Sequence, residues 1–123
     1  MQPKTPITVA IIDDDHFLRE SLGDFFDAMG INSVAYGSAD AFLASGDLDW
    51  VHCILADLRM PGTNGIDLLR KVVAIDGPPI CIMTSFADSH TRGLARSCGA
   101  AGFLEKPISS AYLLEFISRP RRD

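Results

Sequence analysis

Near the amino end, Ile7-Thr8-Val9-Ala10-Ile11-Ile12 forms an apolar, β-branched run with little polar alternation, and it stops at Asp13-Asp14-Asp15. A strand with one wet face alternates apolar and polar side chains. A run without that alternation reads as a strand buried on both faces, the setting of a central strand in a parallel sheet. The same design recurs along the chain. Val51 to Ala56 ends at Asp57, Ile80 to Met83 ends at Thr84, and Ala101 to Glu105 ends at Lys106-Pro107. Ile31 to Tyr36, interrupted by Asn32 and Ser33, reads as a weaker strand of the same set.

Helical periodicity fills the intervals. Phe17, Leu18, Leu22, Phe25, Phe26 and Met29 recur at helical spacing, with Asp15 as the capping residue and Gly30 just past the end. The aromatic stripe Phe17-Phe25-Phe26 reads as core. Ser38 can cap a short helix through Leu43. A helix from Gly65 to Ala74 turns Ile66, Leu69, Val72 and Val73 inward, with Pro78 and Pro79 as its stop. Asp88 caps a weaker helix to Cys98, where Gly93 lowers propensity and Gly99 ends the segment. Tyr112, Leu113, Phe116 and Ile117 mark a last helix closed by Pro120. Five buried strands alternating with five helices predict an α/β fold, a parallel sheet covered on both faces.

A chain of 123 residues has room for one domain with its own core. Residues 1–123 therefore read as a single domain, with 119–123 as a basic tail. The net charge of −5 argues against direct nucleic-acid binding by this domain. No apolar run approaches a membrane span, and Met1-Gln2-Pro3-Lys4 does not open a signal peptide, so the expected compartment is the cytoplasm. Three cysteines without CxxC spacing fit neither a disulfide framework nor a zinc site. Asp24, Asp27, Asp47 and Asp49 read as solvated surface.

In parallel sheets, ligands bind at the carboxyl ends of the strands, beside the point where strand order reverses. Those ends deliver Asp13, Asp14 and Asp15, then Asp57, Thr84 with Ser85, and Lys106. Carboxylates brought together from two strands repel one another unless a cation lies between them. Such oxygen donors suit Mg²⁺, or Mn²⁺ in its place. An Asp carboxylate can attack phosphorus to form an aspartyl phosphate, and the moving phosphoryl group needs positive charge, which Lys106 offers. Thr84 offers a hydroxyl. Each residue also has a plain structural reading: Asp57 capping a turn, Asp13-Asp14 complementing a helix dipole, Lys106 solvated, Phe103 a core ring.

Four stretches carry a resemblance: Ile11-Ile12-Asp13-Asp14-Asp15, Asp57-Leu58-Arg59-Met60-Pro61-Gly62-Thr63-Asn64-Gly65, Met83-Thr84-Ser85, and Gly102-Phe103-Leu104-Glu105-Lys106-Pro107. In order and separation they resemble the CheY-like receiver domains of bacterial two-component response regulators. The resemblance implies a flavodoxin-like, doubly wound five-stranded sheet in order 2-1-3-4-5, with two helices on one face and three on the other. It also implies a cis peptide at Lys106-Pro107. It makes Asp57 the phosphoacceptor, Asp13 and Asp14 the acidic pair that holds Mg²⁺ beside it, and the Arg59 backbone carbonyl a further ligand. Thr84 and Lys106 would contact the phosphoryl group, and Phe103 would occupy the aromatic switch position. Lacking a hydroxyl, Phe103 is expected to turn inward often even without phosphate.

The phosphate would come from a sensor histidine kinase or a phosphotransfer protein, and the response would pass to a downstream protein or output domain. The face spanning 88–118, with Arg92, Arg96 and Tyr112, is the expected contact surface for a partner or a second copy in a homodimer. A haloacid-dehalogenase-like phosphatase is the competing function, since Asp13 and Asp15 form an Asp-x-Asp pair. Phe17, where that family has a small or hydroxyl residue, and the lack of a later acidic pair stand against it.

Overall fold

Ten long elements alternate along the chain in the computed structural model, which describes residues 7–118. They are β1 (Thr8–Ile12), α1 (His16–Ala28), β2 (Asn32–Tyr36), α2 (Ala39–Ser45), β3 (Cys53–Asp57), α3 (Gly65–Ala74), β4 (Ile80–Thr84), α4 (Ser89–Ser97), β5 (Gly102–Glu105) and α5 (Ser110–Ile117). A 3-10 turn at Asp47–Asp49, absent from the sequence reading, precedes β3. The five strands are parallel in the order β2-β1-β3-β4-β5, as expected. Pro120 and the tail at 119–123 lie outside the described residues.

Strand burial explains the missing alternation. Val9, Ile11, Cys53, Leu55, Cys81 and Met83 face a core closed by Leu22 and Phe26 of α1 and by Leu113, Phe116 and Ile117 of α5. Their neighbours Ala10, Ile12, Ile54, Ala56, Ile80 and Ile82 face the opposite core, closed by Phe42 of α2, Leu68, Leu69 and Val72 of α3, and Ala95 of α4. Two helices therefore cover one face and three the other. These residues of β1, β3 and β4 are apolar because each meets a helix layer.

Asp15, Ser38 and Asp88 cap α1, α2 and α4 as the sequence suggested. Gly30 and Gly99 end α1 and α4 in left-handed conformations. Five expectations need correction. Phe17 is 81% exposed. It lies about two and a half helical turns from Phe26, on the opposite side of α1. Met29 is exposed as well, because it is the C-cap residue beyond the buried stripe. Val73 is exposed at the flank of the last turn of α3, where it lies against Gly99. That helix stops before Pro78 is reached. Asp76 takes a left-handed conformation (φ 54°), and the amides of Asp76 and Gly77 close back on the carbonyls of Val73 and Val72. Finally, Asp47 is not simply solvated, since it accepts hydrogen bonds from Tyr36 Oη and from Trp50 Nε1, the latter at 2.8 Å.

Gly65 begins α3 directly beneath the end of β3. A β-carbon there would stand 2.5 Å from the Asp57 carbonyl oxygen and 3.0 Å from Leu58 Cα. Its amide donates to the Leu58 carbonyl at 2.9 Å, which fastens the loop after Asp57 to the helix start. Gly65→Ala gains helix propensity but forces backbone against backbone, so a net loss of about 2 kcal/mol is expected. Urea denaturation checks this, and an unshifted midpoint contradicts it.

Candidate functional site

Strand register builds the site. Ile12 pairs with Ala56 across β1 and β3, so the next residues, Asp13 and Asp57, emerge side by side at the carboxyl edge. β1 is the strand at which the chain reverses direction across the sheet, with β2 on one side and β3 on the other. The Lys106 amide donates to the Thr84 carbonyl at 2.8 Å, continuing the β4–β5 ladder past Glu105. That register, with a cis peptide at Lys106-Pro107, brings the lysine to the same edge.

Lys106 Nζ lies 2.8 Å from Asp13 Oδ2 and 3.2 Å from Asp57 Oδ1, bridging the two carboxylates. Asp13 is fully buried, and its other oxygen accepts the Asp15 amide at 2.9 Å. Arg19 Nη1 donates to the Asp13 carbonyl at 2.8 Å, tying the first turns of α1 to the end of β1. Asp57 is 7% exposed, whereas Asp14 is open to solvent. One oxygen from each of Asp13, Asp14 and Asp57 falls within a 4.8 Å cluster. Among the described residues one ammonium, that of Lys106, pairs with this cluster, and it reaches Asp13 and Asp57. This oxygen-only, partly open and under-neutralised donor set fits a hard divalent cation.

Protonation follows from the crowding. Burial pushes the Asp57 carboxyl above its ordinary value of 3.8, and the Asp13 and Asp14 charges push the same way, against the opposing pull of Lys106. Burial opposes the charge on Lys106. The hydrogen bond and charge of Asp13, with those of Asp57, outweigh it and raise the lysine above 10.5.

The remaining candidates flank this centre. Thr84 is buried, and its hydroxyl accepts the Phe86 amide at 3.1 Å and donates to the Phe86 carbonyl at 3.3 Å. It is thus engaged by the loop after β4. Phe103 is half-buried against the core on the α2–α3–α4 face, with the Arg92 guanidinium 4.7 Å from its ring centroid. Arg59 is exposed on the loop after β3. Sequence reasoning missed Arg19, although its place one turn after Asp15 was a usable signal. It also missed the closed turn at Thr84, which no local pattern marks. Asp15 accepts the amides of Phe17 and Leu18 as the N-cap of α1. One oxygen of its carboxylate is thus engaged in capping the helix, which does not favour a role as the second acid of an Asp-x-Asp phosphatase pair.

A family model described as the response regulator receiver domain matches residues 9–118. The transcriptional regulatory protein FixJ of Bradyrhizobium diazoefficiens is 37% identical over 110 residues, 89% of this chain and 54% of that protein. The C4-dicarboxylate transport transcriptional regulatory protein DctD of Pseudomonas aeruginosa is 34% identical over 90% of this chain and 24% of its own length. The chain thus spans about half the length of FixJ and a quarter of DctD. Among solved structures, the crystal structure of FixJ-N superposes with a TM-score of 0.80 at 32% identity, covering 93% of this chain and 92% of that one.

The raised Asp57 value fixes the sign of a pH effect. The folded state binds this proton more tightly than the unfolded chain. The stability it contributes is complete below 3.8 and is lost as pH rises through the higher folded value. In divalent-free buffer, Asp57→Asn should therefore gain stability relative to the native chain as pH rises above about 4. Denaturant midpoints measured along a pH series check this, and a constant difference between the two proteins contradicts it.

Proposed function

This chain belongs to the response regulator receiver family, and we propose that it takes up a phosphoryl group on Asp57 and relays the event through a protein-contact surface. The observation that carries this reading is the Lys106 ammonium, which bridges Asp13 and Asp57 where the buried carboxylate of Asp57 meets the open edge. The donor is a phosphohistidine of a sensor histidine kinase or phosphotransfer protein. An Asp57 oxygen forms the new P–O bond as the P–N bond breaks, and the electron pair leaves with the imidazole. Lys106 stays within reach of Asp57 and offers positive charge to the phosphoryl oxygens.

Asp13, Asp14 and Asp57, with the Arg59 backbone carbonyl, would hold Mg²⁺ or Mn²⁺. Bound there, the ion supplies the charge neutralisation that one lysine does not complete. Thr84 then releases Phe86 and its hydroxyl donates a hydrogen bond to a phosphoryl oxygen, and Phe103 follows toward the vacated space. We read the chain as promoting only its own phosphorylation and dephosphorylation.

Several further assignments rest on family membership and composition. We assign residues 1–123 to one receiver domain of the cytoplasm, acting on a downstream protein or output domain through the 88–118 face. A second copy of the chain is a candidate occupant of that face. Neither nucleic acid nor membrane is a direct partner. Among the described residues no helix is long and apolar enough to cross a membrane.

Incubation with acetyl phosphate tests the reaction. Intact-mass spectrometry should show up to one added phosphoryl group per chain, only when Mg²⁺ or Mn²⁺ is present, and none in Asp57→Asn. Full labelling of that variant overturns the assignment, as does sustained turnover of a chromogenic phosphate ester.

A further inference from the structure

α4 is lightly held. It has nine residues, too few to be stable without packing, and its only buried residue is Ala95. An added β-carbon at Gly93, in its interior, would have no neighbour within 4 Å. Besides Ala95 in the core, two contacts join this helix and its leading loop to the ends of β4 and β5. One is the turn in which the Thr84 hydroxyl holds both backbone groups of Phe86. The other is Arg92, whose guanidinium lies 4.7 Å from the centroid of the Phe103 ring. The ring is half-buried against a core that includes Ile82 and Ala95, so its outer face receives a cation while its inner face meets apolar side chains.

We propose that Arg92 is a positioning residue that latches Phe103 in the unphosphorylated conformation and so sets how readily the switch closes. This rests on the phosphoacceptor reading above. On this reading the half-buried ring beneath Arg92 is the outward state, contrary to the expectation that Phe103 is often inward without phosphate. Turning inward would part it from a guanidinium carried by a different element, so the contact opposes the movement. A contact made in one state only biases the equilibrium, and any ligand of the other state must overcome it. Arg92 thereby weakens binding at Asp57 without touching that site. A cation–π contact at an exposed position corresponds to a factor of about two to five in such an equilibrium.

Beryllofluoride, a phosphoryl mimic, titrated into the full chain at saturating Mg²⁺ and followed by amide NMR provides the test. Arg92→Leu, which keeps helix propensity, should bind about two- to fivefold more tightly while melting at a slightly lower temperature. Those opposite signs separate a latch from a plain loss of structure, which would weaken both. Arg96→Leu removes the same charge one turn on and should bind as the native chain does. In a Phe103→Leu background, Arg92→Leu should have no further effect. Unchanged or weaker binding in Arg92→Leu overturns the latch, as does an equal gain in Arg96→Leu or in the Phe103→Leu background. Failure of the native chain to bind beryllofluoride overturns the phosphoacceptor reading itself.

Discussion

Two carboxylates at adjacent strand ends share one ammonium, and much of the molecule serves to keep them there. The β1–β3 register sets Asp13 beside Asp57, and burial of both strands on both faces removes the freedom to slip. Asp13 is fully buried because Lys106 and the Asp15 amide satisfy its two oxygens. Asp57 has the same lysine at longer range, which leaves it crowded by Asp13 and poorly solvated. A group that is costly to ionise yet held ionisable by a neighbour is poised to react, and such groups gather at functional sites.

The supports around this pair are backbone devices. Gly65 lets α3 begin against the Asp57 carbonyl, and Arg19 grips the Asp13 carbonyl from α1. These ties fix main chain on either side of the carboxylates while leaving Asp14 and the mouth of the cluster open. The elements on the far side of β4 are held less firmly. There Thr84 with Phe86 and Arg92 with Phe103 form two separate local contacts, whereas the Asp13–Lys106–Asp57 bridge joins three separate strand ends. A firmly tied carboxylate pair and a lightly held helix are adjacent, which is the arrangement the proposed switch requires.

Much of this was legible because the informative residues terminate strands. An unalternating apolar run announces a central strand, and the residue that ends it must stand at the edge, so Asp13, Asp57, Thr84 and Lys106 could be placed together before any coordinates. The helix faces were less legible. Phe17 is apolar yet lies on the wrong side of α1, since adjacency in sequence does not give the phase relative to Phe26. Asp76 ends α3 in a left-handed turn usually supplied by glycine, so the later prolines drew attention instead. The orientation of the Thr84 hydroxyl and the stacking of Arg92 depend on how the loop after β4 and α4 settle on β5. No periodicity in the sequence encodes either.

The central physical claim is that the acidic cluster is destabilised by its own charge and relieved by a cation. Thermal melts with and without Mg²⁺ at neutral pH test it most directly, comparing the native chain with Asp14→Ala. Relief of repulsion and mass action both predict a higher melting temperature for the native chain in Mg²⁺, and most of that gain should vanish in Asp14→Ala. A native melting temperature that ignores Mg²⁺, or a gain of equal size in the variant, would contradict the account.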